Sequence, residues 1–297
     1  MIAKRTPSQM REDVIENLLE GAVQYIESCR LVDGGYFFAR VPPSSGLDTY
    51  FAVMGLSLLG LKPVILAEVE AFVHNGLLKD EPVHLGGLFV AAETLDKLGC
   101  LTDELKYRIR RAVTAFKNQF GGYGAFEHLD VAIPSELQGT YRAMKVLHTI
   151  GANRIDAGEV GCFVENWHNG DGGYGGRGRS NLASTFFATS IACLGGFELI
   201  DRYSTIAYLR RKETNREYQY IEDLYWLATA LDNLGGSLAD RSGATEFVRR
   251  CRRRGGGFAR ATAIGIPTLE YTFYALSILK LAGCQARGTL KIDSEKL

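Results

Sequence analysis

The stretch GDGGYGGRGRSNLASTFFATSIACLGG, from Gly170 to Gly196, opens with a glycine-rich turn, passes a polar bend carrying Arg177 and Arg179, and becomes an apolar helix-like run ending at Gly195 and Gly196. The same grammar recurs as DGGYFFARVPPSSGLDTYFAVMGLSLLG, Asp33 to Gly60, and as GGGFARATAIGIPTLEYTFYALSILKLAG, Gly255 to Gly283. A pattern returning at fixed spacing marks a chain built from one repeated supersecondary unit.

Working outward, the unit is a pair of helices. Val14 to Ile26 carries Val14, Leu18, Val23 and Ile26 on one side with Glu12, Glu16 and Glu20 elsewhere, an amphipathic outer helix. Its partner, Thr49 to Leu59, leaves no polar face and must be buried almost all round. Further pairs follow at Val64–Leu77 with Leu85–Leu98, where KDEPVH replaces the glycine turn, and at Glu104–Asn118 with the helix in LQGTYRAMKVLHTIG, where Pro134 and Ser135 suit the helix start. Then come Glu159–Trp167 with the opening stretch, Ile206–Arg211 with TNREYQYIEDLYWLATALDNLGG, and Thr245–Arg253 with Leu269–Leu281. The period is about 45 residues and the count about six.

An inner helix that is apolar on all sides needs neighbours on all sides, and open arrays need polar capping repeats. The first and last inner helices are among the most apolar, so the pairs are expected to close into a ring. The expected fold is an all-α, α/α toroid in a single domain over residues 1–297, with a polar tail at 284–297. Phe187, Ile191, Leu276 and Ile278 should be inaccessible, and Arg108, Arg110 and Glu16 exposed.

Composition excludes several classes. The 34 Lys and Arg residues balance 34 Asp and Glu residues, so no global field favours nucleic acid or an anionic membrane. No apolar run of about 18 residues could span a bilayer, and the N-terminal stretch lacks a signal-peptide core, so a cytoplasmic location is expected. The six cysteines contain no C-x-x-C pair and fall in or beside apolar segments, which points to buried free thiols.

The G-G-Y/F turn, the polar bend, and an inner helix that starts with an acidic or small residue followed by T-Y/F resemble the repeat shared by protein prenyltransferase β subunits and squalene and oxidosqualene cyclases. The resemblance covers nearly the whole chain. It implies the toroid and an isoprenoid ligand, and each branch implies its own site. Protein farnesyl- and geranylgeranyltransferases hold zinc through Asp-x-Cys at the fifth inner helix and a His at the sixth; here Glu222, Leu224 and Tyr271 stand at those positions, so no stoichiometric zinc is expected. Tyr225 matches a tyrosine that helps hold the diphosphate in that family. The Asp-x-Asp-Asp acid of squalene-type cyclases, the Cys-Gly-Glu-Gln of thioester toroids and the Cys-His pair of lanthionine cyclases all lack counterparts.

Three residue sets remain as candidate machinery. Large aromatics early in the inner helices, Tyr50, Phe51, Tyr141, Phe186, Phe187, Tyr225, Trp226, Tyr271, Phe273 and Tyr274, either fill the core or line a funnel for an isoprenoid chain or a carbocation. Arg40, Arg177, Arg179 and Arg260 precede inner helices, where they are solvated or form a diphosphate site with helix N-termini. Asp48, Glu222, Asp223 and Glu270 begin inner helices, where they cap, bind Mg²⁺ with a diphosphate, or present a desolvated acid to an alkene. Arg142 and Lys145 share one face of an otherwise apolar helix and need partners such as Glu93 or Glu136. His128 with Asp130 and His168 with Asp171 are each half of a metal site at most. Two function classes follow. One is an isoprenoid transferase or cyclase that lacks the usual zinc triad. The other is a non-catalytic toroid binding a lipid or a protein partner. A zinc-dependent protein prenyltransferase β-like subunit, which would imply an α-subunit partner, is a third and minor possibility.

Overall fold

Every glycine turn leaves one buried backbone N–H to satisfy, and the chain satisfies it the same way four times. The N–H of Tyr36, Tyr123, Tyr174 and Phe258 donates to the hydroxyl of Thr49, Thr140, Thr185 and Thr272, at 2.9, 3.0, 3.0 and 3.2 Å. All four threonines are fully buried. Thr49, Thr185 and Thr272 in turn donate to the carbonyl four residues back, at 2.8, 2.8 and 2.7 Å. The hydroxyl therefore belongs to the first turn of the inner helix and to the preceding loop at once, which fixes where the helix begins. A threonine at that point is the sequence's T in T-Y/F.

A computed structural model of the chain describes residues 7–78, 84–118, 121–124, 136–152 and 157–284. The tail from 285 onward, His128, Asp130, Pro134, Ser135 and most of KDEPVH lie outside the described residues. Within them the helices follow in the expected order, outer then inner: α1 (Pro7–Ser28) before α2 (Gly46–Leu58), α3 (Leu66–Leu77) before α4 (Leu85–Leu98), and α5 (Asp103–Thr114) before α6 (Leu137–Thr149). Next come α7 (Ala157–Glu165) with α8 (Leu182–Gly195), α9 (Arg202–Thr214) with α10 (Ile221–Asn233), and α11 (Arg241–Cys251) with α12 (Leu269–Leu281). The only β ladder among the described residues joins Phe258–Ala259 to Pro267–Thr268 in antiparallel register. None of the described helices is long and apolar enough to cross a membrane.

Burial separates the two helix kinds. In α5 only Leu105, Ile109 and Val113 are buried, one stripe at four-residue spacing. In α8 the run from Ala188 to Ala192 is buried without a break, so the middle of that helix is enclosed. Even helices end alike. Gly99 and Gly196 take left-handed φ of 81° and 65°, and the next residue's N–H reaches back to Leu95 and Ala192, the Schellman closure that a side chain would strain.

The described residues group into two compact units, one within 1–69, 219–225 and 238–297, the other within 70–218 and 226–237. In the first, α2 packs along α12 and α1 touches both, so the first and last repeats are in direct contact. The turn before α12 lies against α1: Gly256 has φ of 91°, and a Cβ there would sit 2.2 Å from the Gly21 carbonyl oxygen. In the second, α4, α6 and α8 pack in series, with α5 and α7 beside them.

Some expectations need correction. Ile191, Leu276 and Ile278 are buried and Arg108 and Arg110 exposed, but Phe187 is only half-buried and Glu16 is partly covered. Adjacent residues on a helix point about 100° apart, so Phe186 takes the packed direction and Phe187 the open one. Val14 is exposed; the inward line of α1 is Ile15, Leu18, Leu19, Ala22 and Ile26. All six cysteines are free, yet only Cys29 and Cys251 are buried, because Cys162 and Cys193 face outward on their helices.

Thr185→Val keeps shape and volume but leaves the Tyr174 N–H buried without an acceptor, which costs about 1–3 kcal/mol. A urea denaturation midpoint lowered for Thr185→Val, and less so for Thr185→Ser, is expected. Equal midpoints for valine and threonine would remove the lock from the account.

Candidate functional site

The starts of three inner helices bring charge and aromatic rings together within the first unit. Each start is fixed locally. Ser45 accepts the Asp48 N–H at 3.2 Å, Thr268 accepts the Tyr271 N–H at 3.2 Å, and Asp223 accepts the N–H groups of Gln219 and Tyr220 at 3.2 and 3.1 Å. Asp223 is thus the cap of α10. The Ile221 N–H donates to the Arg260 carbonyl at 2.9 Å, tying α10 to the hairpin that leads into α12.

That tie sets Arg260 beside Glu222. Arg260 Nε donates to Glu222 Oε1 at 2.5 Å, and the guanidinium lies 4.0 Å from the centre of the Tyr220 ring. Glu222 is 7% exposed, and its Oε2 accepts no hydrogen bond among the described residues. One turn along α12, Tyr274 Oη donates to Glu270 Oε1 at 2.9 Å. The carboxyl groups respond to this crowding. Burial, reinforced by the charge of Glu270, pushes Asp48 up to about 6 against the hydrogen bond from Ser45. Burial also raises Glu270, with Glu222 adding to the rise and Tyr274 and Arg260 opposing it. Burial and the same acids push the phenols of Tyr271 and Tyr274 up, so both stay neutral donors.

Rings wall this cluster. Tyr225 and Tyr274 stack with centres 4.5 Å apart and planes at 22°. Phe273 lies 5.8 Å from Tyr225, Phe51 meets Tyr274 edge-on at 5.8 Å, and Tyr50 lies 5.1 Å from Phe51. Tyr50, Phe51 and Phe273 are core packing, whereas Tyr225, Tyr271 and Tyr274 are half-buried.

The remaining sequence candidates fall elsewhere. Tyr141 and Phe187 belong to the second unit, where Tyr141 meets Phe186 at 5.4 Å, Phe187 at 5.5 Å and Phe89 at 6.2 Å; Trp226 is half-buried there. Lys145 reaches the fully buried Glu93 at 3.7 Å, so Glu93 is the acid that answers that lysine, and Thr149 bonds its other oxygen. Arg40 donates to the Ser28 carbonyl and hydroxyl at 3.1 and 2.9 Å and closes the end of α1. Arg177 and Arg179 are exposed around a short 3-10 turn. Asp171 braces its own turn through Ser180 at 2.6 Å, and the His168 ring packs on Tyr174 at 5.2 Å.

Two contributors went unread in the sequence. Tyr220 supplies the ring under Arg260. Arg253 donates to the carbonyls of Ala261, Ile264 and Gly265 at 2.7, 3.0 and 3.2 Å and to that of Cys251 at 3.1 Å, which holds the hairpin carrying Arg260. Nothing in RRRGGGF distinguishes a surface arginine from one that bonds backbone carbonyls across a loop. Of the residues that the resemblance sets at zinc positions, Leu224 is an alkyl group 1% exposed and Glu222 Oε1 already holds a guanidinium, a donor set that does not fit zinc. Among the described residues no group of three or more His, Cys, Asp and Glu side chains is arranged to hold a metal ion.

No curated protein matches the chain by sequence. Among solved structures, Candida albicans protein geranylgeranyltransferase-I complexed with GGPP is similar at 17% identity, covering 89% of this chain and 93% of that one with a TM-score of 0.69. The type II terpene cyclase MstE from Scytonema is similar at 12% identity, covering 92% of this chain and 99% of that one with a TM-score of 0.62. A variant of MstE in complex with geranylgeranyl dihydroxybenzoate matches at 12% identity, 93% and 99% coverage and a TM-score of 0.61. At these identities the likeness is one of fold, an all-α toroid. The prenyltransferase alpha-alpha toroid domain model matches residues 5–77, 67–219 and 209–297, and the chain therefore belongs to that family.

Proposed function

We propose that the protein is an isoprenoid-handling enzyme of the cyclase kind, in which a half-buried carboxylic acid of the first unit protonates a carbon–carbon double bond. The observation that carries this reading is a pair of carboxyl groups in unlike environments beside stacked rings. Asp48 is raised to about 6 by burial and by Glu270, and Glu270 is tied to the Tyr274 hydroxyl. Burial raises both groups, but only Glu270 accepts a phenol hydrogen bond, which favours its ionised form, so Asp48 is the acid and Glu270 the counter-ion. The Asp48 proton adds to one alkene carbon, using the π pair for the new C–H bond, and leaves a tertiary cation on the other. The faces of Tyr225 and Tyr274 and the charge of Glu270 stabilise that cation until a second double bond attacks it or a neighbouring proton is lost. Isoprenoid compounds are bound by the similar transferase and cyclase, which supports the substrate class.

Zinc-assisted thiol prenylation receives no such support, because Leu224 and the Arg260–Glu222 pair stand where its ligands would be. Elemental analysis after dialysis should find no stoichiometric zinc, and about one zinc per chain would reverse that part of the reading.

The raised acid has a stability signature. Asp48 binds its proton more tightly folded, at about 6 against the ordinary 3.8, so its contribution is fully present below 3.8 and is lost as pH rises through about 6. Asp48→Asn should leave the melting temperature nearly unchanged at pH 4 and raise it at pH 8. A lower melting temperature at pH 8 would mean the carboxylate is stabilised in place.

Incubation with geranylgeranyl and farnesyl compounds, followed by mass spectrometry, tests the chemistry. Isomeric products of unchanged mass are expected, falling at least about 100-fold in Asp48→Asn in line with loss of a general acid. Tight binding without any product would favour a lipid-binding toroid, and products undiminished in Asp48→Asn would place the acid elsewhere.

A further inference from the structure

The charge balance of the cluster speaks to the head group of the substrate. Three carboxyl groups, Asp48, Glu222 and Glu270, meet one guanidinium, Arg260, and that guanidinium is already committed to Glu222 through Nε at 2.5 Å and to the Tyr220 ring at 4.0 Å. The pairing answers one acid, and among the described residues neither Asp48 nor Glu270 makes a salt bridge of its own, Glu270 being held only by the Tyr274 hydroxyl. A second, independent sign comes from Glu222 itself. The side chain is more than nine-tenths buried, its charge reaches Glu270 and Tyr271, and its Oε2 accepts no hydrogen bond among the described residues. A buried carboxylate oxygen without a donor is a place for a donor or a cation.

The rings point the same way. Tyr274 lies one helical turn from Glu270 and stacks on Tyr225, so electron-rich π faces stand beside that acid. That combination attracts an ammonium and repels a diphosphate. Arg40, Arg177 and Arg179, which sequence spacing offered as diphosphate ligands, hold the end of α1 or stand exposed at a turn of the other unit. None of them is bonded into this cluster.

From this balance we infer that the first-unit site takes an isoprenoid whose head group is uncharged or carries an amine, and that it rejects the free diphosphate. The inference rests on the isoprenoid reading above and narrows it. A reaction class follows: an upstream step must remove the diphosphate, either by hydrolysis to the alcohol or by transfer of the chain onto an acceptor.

Calorimetry with three probes of one chain length separates the cases: geranylgeraniol, geranylgeranyl diphosphate, and N,N-dimethylgeranylgeranylamine, which is protonated at neutral pH. Affinity should fall in the order amine, alcohol, diphosphate, with about tenfold or more between amine and diphosphate. Glu270→Gln should shrink the preference for amine over alcohol. Glu222→Gln, which releases Arg260, should raise diphosphate affinity by about tenfold. Diphosphate binding tightest, with or without Mg²⁺, or equal affinity for all three, would overturn the inference and leave the isoprenoid reading standing. Failure of all three to bind would overturn both.

Discussion

One hydrogen bond, from the N–H of a turn to a buried threonine hydroxyl, sets the geometry on which the rest depends. A glycine turn can be placed anywhere along a helix start; a turn whose N–H must reach Oγ1 of a helical threonine has one register. The bond recurs at Tyr36, Tyr123, Tyr174 and Phe258. Because the threonine sits in the first turn, the residues beside it, such as Asp48 before Thr49 and Tyr271 before Thr272, inherit fixed positions at the helix mouth. Packing then determines the partners, since α2 and α12 run against each other and bring Asp48 within reach of Glu270.

The site follows from placing acids where water is scarce. Carboxylates at helix starts are ordinarily capping groups favoured by the helix dipole. Asp223 behaves so, and its carboxylate is taken up by two backbone N–H groups. Asp48 and Glu270 have no such backbone bonds among the described residues and are half-buried, so desolvation outweighs the dipole and raises both, while the Tyr274 hydroxyl favours the charged form of Glu270. Glu222 is paired with Arg260, whose own position depends on the hairpin clamped by Arg253. A chain of backbone bonds thus decides which acid is paired with a guanidinium and which are not.

Much of this was legible in the sequence because it depends on period. The bounds of α4 and α12 follow from apolar runs closed by Gly99 and Gly283, and the stripe of α5 from four-residue spacing. The acids, Arg260, Tyr225 and Tyr274 were also readable, being unusual residues at repeated positions. What period does not carry is direction across a loop. Arg40 and Arg260 sit at like places after their turns, yet one closes α1 at Ser28 and the other reaches Glu222, because only the latter lies beside another inner helix start. Val14 and Phe187 show the same limit: one residue of rotation separates a packed side chain from an open one.

A carboxyl group of the first unit holds its proton up to about pH 6 because it is half-buried beside another acid. Carbon-13 NMR titration of labelled aspartate carboxyls, in the wild-type chain and in Glu270→Gln, measures this directly. The account requires Asp48 to titrate near 6 and to move downward when the Glu270 charge is removed. An Asp48 that titrates near the ordinary 3.8, unchanged by that substitution, would contradict it.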